Sequence, residues 1–172
     1  MELDTFRIEL ASRKDVPLIL SLIQELADHE LMTQEVTADK ENLANCLFGP
    51  HTRAEVIIGF YGSEVVSYAL FFPDFSSFSG QPGIHLDDLY VRPGMRRRGI
   101  GRLMMEHIAR LALERNCCRI DWCTAKTNHS AAKFYERLGA LSTDKFMIFR
   151  LNGEAFARLS AKKSKGVGLQ HG

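Results

Sequence analysis

The stretch Ile84 to Arg115, IHLDDLYVRPGMRRRGIGRLMMEHIARLALER, decides how this chain folds. It reads as a strand, then a loop holding Arg96, Arg97, Arg98, Gly99, Ile100 and Gly101, then an amphipathic helix. The inner stripe of that helix includes Met104, Ile108, Leu111 and Ala112. Glycines between a strand and a helix let backbone N–H groups turn toward an anion, and the helix dipole adds roughly half a positive charge at that end. Arginines up to Arg102 supply the rest, so the loop reads as a cradle for a diphosphate. The strand before it, carrying Asp87 and Asp88, reads as one wall of a cleft where reaction happens.

Upstream, Phe6 to Leu10 is a short strand, and Asp15 opens a helix that tolerates Pro17 in its first turn. Ile19, Leu22, Ile23 and Leu26 give that helix a core-facing stripe. A second helix starts near Thr37, turns Leu43, Cys46 and Leu47 inward and stops at Gly49-Pro50. Ala54 to Tyr61 and Glu64 to Phe72 form a hairpin about Gly62-Ser63, and Pro73 to Gly83 reads as a loop. Downstream, Arg119 to Thr124 is a strand with Trp122 toward the core, and Asn128 to Leu138 is a helix stopped by Gly139. Lys145 to Leu151 is a further strand, with a short helix from Glu154. The order predicts one domain over 1–160, a mixed α/β sheet with helices on both faces, and a flexible basic tail over 161–172.

Composition narrows the function. A chain of 172 residues with 45% hydrophobic content can bury a proper core. Net charge is +1, although five arginines fall between Arg92 and Arg102, so the basicity is local and disfavours nucleic acid or an anionic membrane surface. No apolar run approaches the ~20 residues that span a bilayer, and the acidic start MELDTFRIEL is unlike a secretory signal. A soluble, cytoplasmic protein is expected. Cys46, Cys117, Cys118 and Cys123 lack C-x-x-C spacing and the histidines form no H-x-x-x-H pair, so neither disulfides nor a metal is expected.

The spacing Val91-x4-Arg96-x-x-Gly99-x-Gly101 resembles the acetyl-CoA signature of the GNAT N-acetyltransferase superfamily. Asn128 and the run Phe134-Tyr135-Glu136-Arg137-Leu138-Gly139-Ala140 resemble that family's second signature. The segment LIQELADHELMTQEV and the strand HLDDLYV are similar to the diamine/polyamine (spermidine/spermine) and thialysine N-acetyltransferase branch. The resemblance implies a mostly antiparallel sheet with a splayed central strand, acetyl-CoA as co-substrate and a homodimer. It places the backbone of Leu89, Tyr90 and Val91 along the pantetheine arm, with the segment from Arg96 through Arg97, Arg98, Gly99, Ile100 and Gly101 to Arg102 around the pyrophosphate. Asn128, Ser130 and Ala131 become a second cofactor contact. Tyr135 becomes the general acid beside the cofactor, Asp87 the residue that deprotonates the amine, and His29, Glu30, Asp87 and Asp88 substrate contacts.

Elementary chemistry asks for the same parts. A primary amine of pKa ~10.4 is an ammonium at neutral pH, so a carboxylate must attract it and take its proton; Asp87 or Asp88 serves. The oxyanion formed on attack needs a free backbone N–H, which a β-bulge on the central strand exposes. The departing thiolate needs a proton, for which Tyr135 is the candidate phenol. Adjacent strand residues point to opposite faces, so only one of Asp87 and Asp88 enters the cleft unless a bulge intervenes. On spacing alone Glu30 reads as a solvated helix-end carboxylate, and Tyr135 reads equally as an ordinary helix aromatic or as the acid.

Departures from the family pattern bear on the substrate. Glu is usual where Asp87 stands, and the shorter side chain calls for a bridging water. The segment FPDFSSFSGQPG has serines where the polyamine enzymes carry an acidic residue and a tryptophan, and AKTNHSAAKF lacks the acidic-Trp preface; Asp144 is the candidate replacement. The reading is an acetyl-CoA-dependent N-acetyltransferase acting on a small primary amine in a ternary complex. Its rivals are a protein lysine or N-terminal acetyltransferase and a non-catalytic acetyl-CoA-binding module.

Overall fold

The structure is a computed structural model and describes residues 6–143 and 147–161. The chain divides into two compact units, Met1–His129 and Ser130–Gly172. The first holds a five-stranded sheet whose strands β1 (Phe6–Leu10), β2 (Glu55–Tyr61), β3 (Glu64–Ser76), β4 (Gln81–Val91) and β5 (Ile120–Trp122) lie side by side in chain order. The first four pair antiparallel, and β5 runs parallel to β4 after a crossover through the helix α3 (Ile100–Glu114). This is the mixed, mostly antiparallel sheet the sequence predicts.

Two helices cover one face. Ile19 and Leu22 of α1 (Val16–His29) and Leu47 of α2 (Lys40–Phe48) pack on Val56, Ile58, Tyr68, Leu70 and Tyr90 of the sheet. Alternation along the strands turns Ile57, Ala69 and Phe71 the other way, where α3 buries Ile100, Met104 and Ile108 against β3 and β4. Local chemistry sets the helix starts. Ser12 donates its backbone N–H and its hydroxyl to one oxygen of Asp15, both at 2.8 Å, ahead of α1. Asp39 accepts from the Asn42 backbone N–H at 2.8 Å and so begins α2 three residues after Thr37.

Two expectations need correction. Pro73 to Gly83 is not a loop: β3 and β4 continue to a tight turn, with Pro73 opposite Ile84 and Ser76 opposite Gln81. Beyond Phe71, β3 has no partner in β2, so Pro73 lies on an edge where its missing N–H costs no ladder bond. Arg119 donates to Asp74 at 2.8 Å and ties this extension to β5. In the second unit, α4 (His129–Arg137) and α5 (Gly153–Ala161) form as expected, but the segment from Met147 to Leu151 makes no strand. Met147, Ile148 and Phe149 are exposed, so their β-propensity has no ladder to join. Lys145, Phe146, Asp144 and the basic tail from Lys162 lie outside the described residues. Among the described residues no helix is long and apolar enough to cross a membrane.

Candidate active site

The site begins with one extra residue in β4. Pairing runs from Ser67 opposite Val91 down to Leu70 opposite Asp88, then resumes at Phe71 opposite Leu86. Asp87 is therefore a β-bulge. On the other edge, pairing with β5 ends at Leu86 opposite Trp122. Among the described residues, no strand pairs with that edge of β4 from Asp87 to Val91. Leu89, Tyr90 and Val91 thus carry backbone groups spaced to receive another extended chain. Bulge and opening coincide, as a splayed central strand requires.

The bulge also resolves the geometry of the paired aspartates. Asp88 lies within electrostatic reach of both Asp87 and Glu30, the residue that ends α1. Asp88 is half-buried, and Tyr68 of β3, fully buried, donates its hydroxyl to Asp88 Oδ2 at 2.9 Å. Burial pushes the Asp88 carboxyl up to about 6, the negative neighbours Asp87 and Glu30 push the same way, and the Tyr68 bond opposes them. Burial and the adjacent Asp88 carboxylate raise the Tyr68 phenol. Asp87, Glu30 and His29 are exposed. Among the described residues no group of three or more His, Cys, Asp or Glu side chains is placed to hold a metal ion. Sequence reasoning missed Tyr68: a tyrosine in the apolar run EVVSYALFF reads as core, and only its register opposite Tyr90, one step from Asp88, gives its hydroxyl a target.

The arginines of the basic loop differ in burial and in partners. Arg92 grips Glu25 of α1 with two bonds of 2.9 and 2.7 Å and donates to the Val65 carbonyl at 2.6 Å, bracing the end of β4. Arg96 donates from Nε to the Val91 carbonyl at 2.8 Å, lies 5.8 Å from the Tyr90 ring centre and places Nη1 2.9 Å from His29 Nε2. It therefore joins the loop to the end of α1, and its side chain is engaged in the fold. Arg97 has a φ of 60° and Gly99 a φ of 83°, so the chain makes two left-handed steps before α3. Gly99 stands at the cap position without a side-chain cap, so the first N–H groups of α3, at Ile100, Gly101 and Arg102, have no capping side chain and no partner within the helix. Arg97, Arg98 and Arg102 are exposed; Arg102 pairs with Glu106 at 2.8 Å.

Asn128 is half-buried in the first unit, its backbone N–H donated to Ala125 at 2.8 Å. Ser130, Ala131 and Tyr135 belong to the second unit. There Tyr135 is half-buried on α4 with its ring 5.1 Å from Phe134, and its carbonyl accepts from Leu138 and Ala140 as the helix turns out through Gly139 at a φ of 92°.

Comparison with known proteins follows this geometry. Residues 20–140 match the acetyltransferase (GNAT) family. The chain is 31% identical over 166 residues to thialysine N-epsilon-acetyltransferase of Bos taurus, a match covering 90% of this chain and 97% of that relative. It is 25% identical over 194 residues to an L-ornithine N5-acetyltransferase of Arabidopsis thaliana, covering 87% and 85%. Among solved structures, an integron cassette protein from the mobile metagenome of V. cholerae superposes with a TM-score of 0.78 at 25% identity, over 92% of this chain and 99% of that one. With a family match over most of its length, the chain belongs to the GNAT acetyltransferases and is an N-acetyltransferase.

Proposed function

We propose that the protein transfers the acetyl group of acetyl-CoA to a primary amine of a small cationic molecule, a diamine, polyamine or lysine-like compound, by direct attack in a ternary complex. One observation carries this reading: the bulge at Asp87 begins the unpaired edge of β4 at the same point where Asp87, Asp88 and Glu30 gather negative charge. The relatives named for thialysine and ornithine N-acetylation support the substrate class.

The residues present fit the cofactor. The glycine-bearing turn before α3 leaves uncapped backbone donors in the segment that carries Arg97, Arg98 and Arg102, the kind of donor set that suits a pyrophosphate. The edge from Leu89 to Val91 suits the amide-bearing pantetheine arm, and Asn128, Ser130 and Ala131 are proposed as its second contact. Acetyl-CoA supplies the acetyl group as a thioester. The carboxylates draw in the ammonium, and one of the paired aspartates, Asp87 or Asp88, takes its proton. A backbone N–H freed at the bulge steadies the charge that develops on the carbonyl oxygen. Tyr135 is proposed to protonate the departing sulfur.

The test is thiol release from acetyl-CoA against spermidine, putrescine, lysine, thialysine, ornithine and a lysine-containing peptide. Turnover with a small diamine or amino acid is the expected result. Turnover with the peptide alone replaces this reading with protein acetylation, and bound acetyl-CoA without turnover replaces it with a regulatory module.

A further inference from the structure

Asp87 and Asp88 differ in every respect that matters to a base. Asp87 is the bulge residue and exposed. Asp88 is half-buried, and one of its two oxygens is held by a hydroxyl whose own ring is fully buried in the core that the sheet forms with α1 and α2. A carboxylate fixed at one oxygen keeps the other free in a set direction, which is what abstraction of a proton from a positioned substrate demands. Resting on the amine-acetyltransferase reading above, we propose that Asp88, not Asp87, accepts the ammonium proton, and that Tyr68 is the positioning residue that holds Asp88 for this task. Asp87 and Glu30 then act as the exposed charges that draw the cation in.

The step balances. The Asp88 carboxylate takes one proton from the substrate ammonium, leaving a neutral carboxyl and an amine with a free lone pair. The nitrogen forms its bond to the acetyl carbon as the carbon–sulfur bond breaks. The nitrogen's second proton ends on the departing sulfur, and the proton on Asp88 returns to solvent.

The groups facing Asp88 set how its ionisation responds to change. They are Tyr68 from β3, Asp87 on its own strand and Glu30 at the end of α1; farther out stands Tyr90, its ring centre 6.2 Å from that of Tyr68, with Arg96 over it and His29 on Arg96. Tyr68 stabilises the charged form and Asp87 opposes it. The two substitutions should therefore move the acid limb of the pH profile in opposite directions. Removing a hydroxyl bonded to a carboxylate raises that carboxyl by about one unit.

The experiment compares kcat/KM of wild type, Tyr68→Phe, Asp87→Asn and Asp88→Asn with one active amine from pH 5.5 to 9. Ratios of variant to wild type cancel the ionisation of the amine itself. Tyr68→Phe should be about 5-fold slower at pH 6, with the deficit closing by pH 9, the ratio that a one-unit shift produces. Asp87→Asn should shift the limb to lower pH, and Asp88→Asn should lose at least ~100-fold throughout, the usual scale of a general base. A Tyr68→Phe ratio flat with pH makes Tyr68 structural only and overturns the pairing. An active Asp88→Asn beside an inert Asp87→Asn returns the role to Asp87. A wild type inert on every amine overturns the underlying reading instead, so the two failures are told apart before any variant is compared.

Discussion

Tyr135→Phe removes one oxygen from α4 and leaves the ring, so it tests the proposed proton donation. Turnover should fall at least ~10-fold with acetyl-CoA affinity nearly unchanged, because the interaction exists only as the sulfur departs; equal rates in steady-state assays would remove Tyr135 as the acid. Asp88 makes a second prediction, on stability. Its carboxyl is raised in the folded protein from 3.8 to about 6, so the fold binds that proton more tightly than the unfolded chain does. The contribution favours folding below pH 4 and is lost as the pH rises through 6. Asp88→Asn, which cannot ionise, should match wild type at pH 4 and exceed it by about 2–3 kcal/mol at pH 8, measured by urea unfolding. Equal stability at both values would show that Asp88 is not buried as described. Acidity on a strand made Asp87 and Asp88 candidates in the sequence, whereas Glu30 became one only through the family resemblance. The sequence was not legible for Tyr68, whose role depends on a register, or for Arg96, whose side chain turns back onto Val91 and His29 although its spacing places it in the cradle.

Elements were read well where the pattern is local. Helical periodicity gave α1 and α3, and Gly62-Ser63 gave the β2–β3 hairpin. The β3–β4 extension failed because Pro, Ser and Gly usually mark a loop, and only a missing β2 partner makes them acceptable in a ladder. A second bulge, at Val66, lies between Ser67 opposite Gly59 and Val65 opposite Phe60. Ser67 is fully buried there, and its hydroxyl has no partner among the described residues. Ser67→Ala should therefore stabilise the sheet by about 1 kcal/mol. A Cβ on Gly59 would stand 2.1 Å from Ser67 Oγ and 2.9 Å from Phe6 Cζ. Gly59→Ala should cost about 1–3 kcal/mol, and clearly less when Ser67 is already Ala, because the tighter of the two clashes is gone. Additive denaturation midpoints in the double variant would contradict that packing.

For the whole molecule, ligand binding and stability are linked. Acetyl-CoA at about a hundred times its Kd should add about 2.7 kcal/mol, roughly 5–10 °C in melting temperature for a chain of this size. Gly99→Trp should abolish the rise while the variant still folds, because a bulky side chain fills the turn that offers its N–H groups; a full shift would sink the cradle assignment. The bulge at Asp87 has a wider consequence. Without it, Leu86, Asp88 and Tyr90 would share one face of β4; with it, Leu86 stays out of the core that Tyr90 forms with α1 and α2. Deleting the codon for Asp87 would leave Leu86 opposite Phe71 and Asp88 opposite Leu70 and only close the bulge, whereas deleting a paired residue of β4 would exchange inside for outside along part of the strand. Point substitutions in the cleft leave this packing in place, whereas an insertion or deletion elsewhere in β4 turns core residues outward and loss of Asp87 closes the bulge, so its descendants can diversify in substrate while the length of this strand stays frozen.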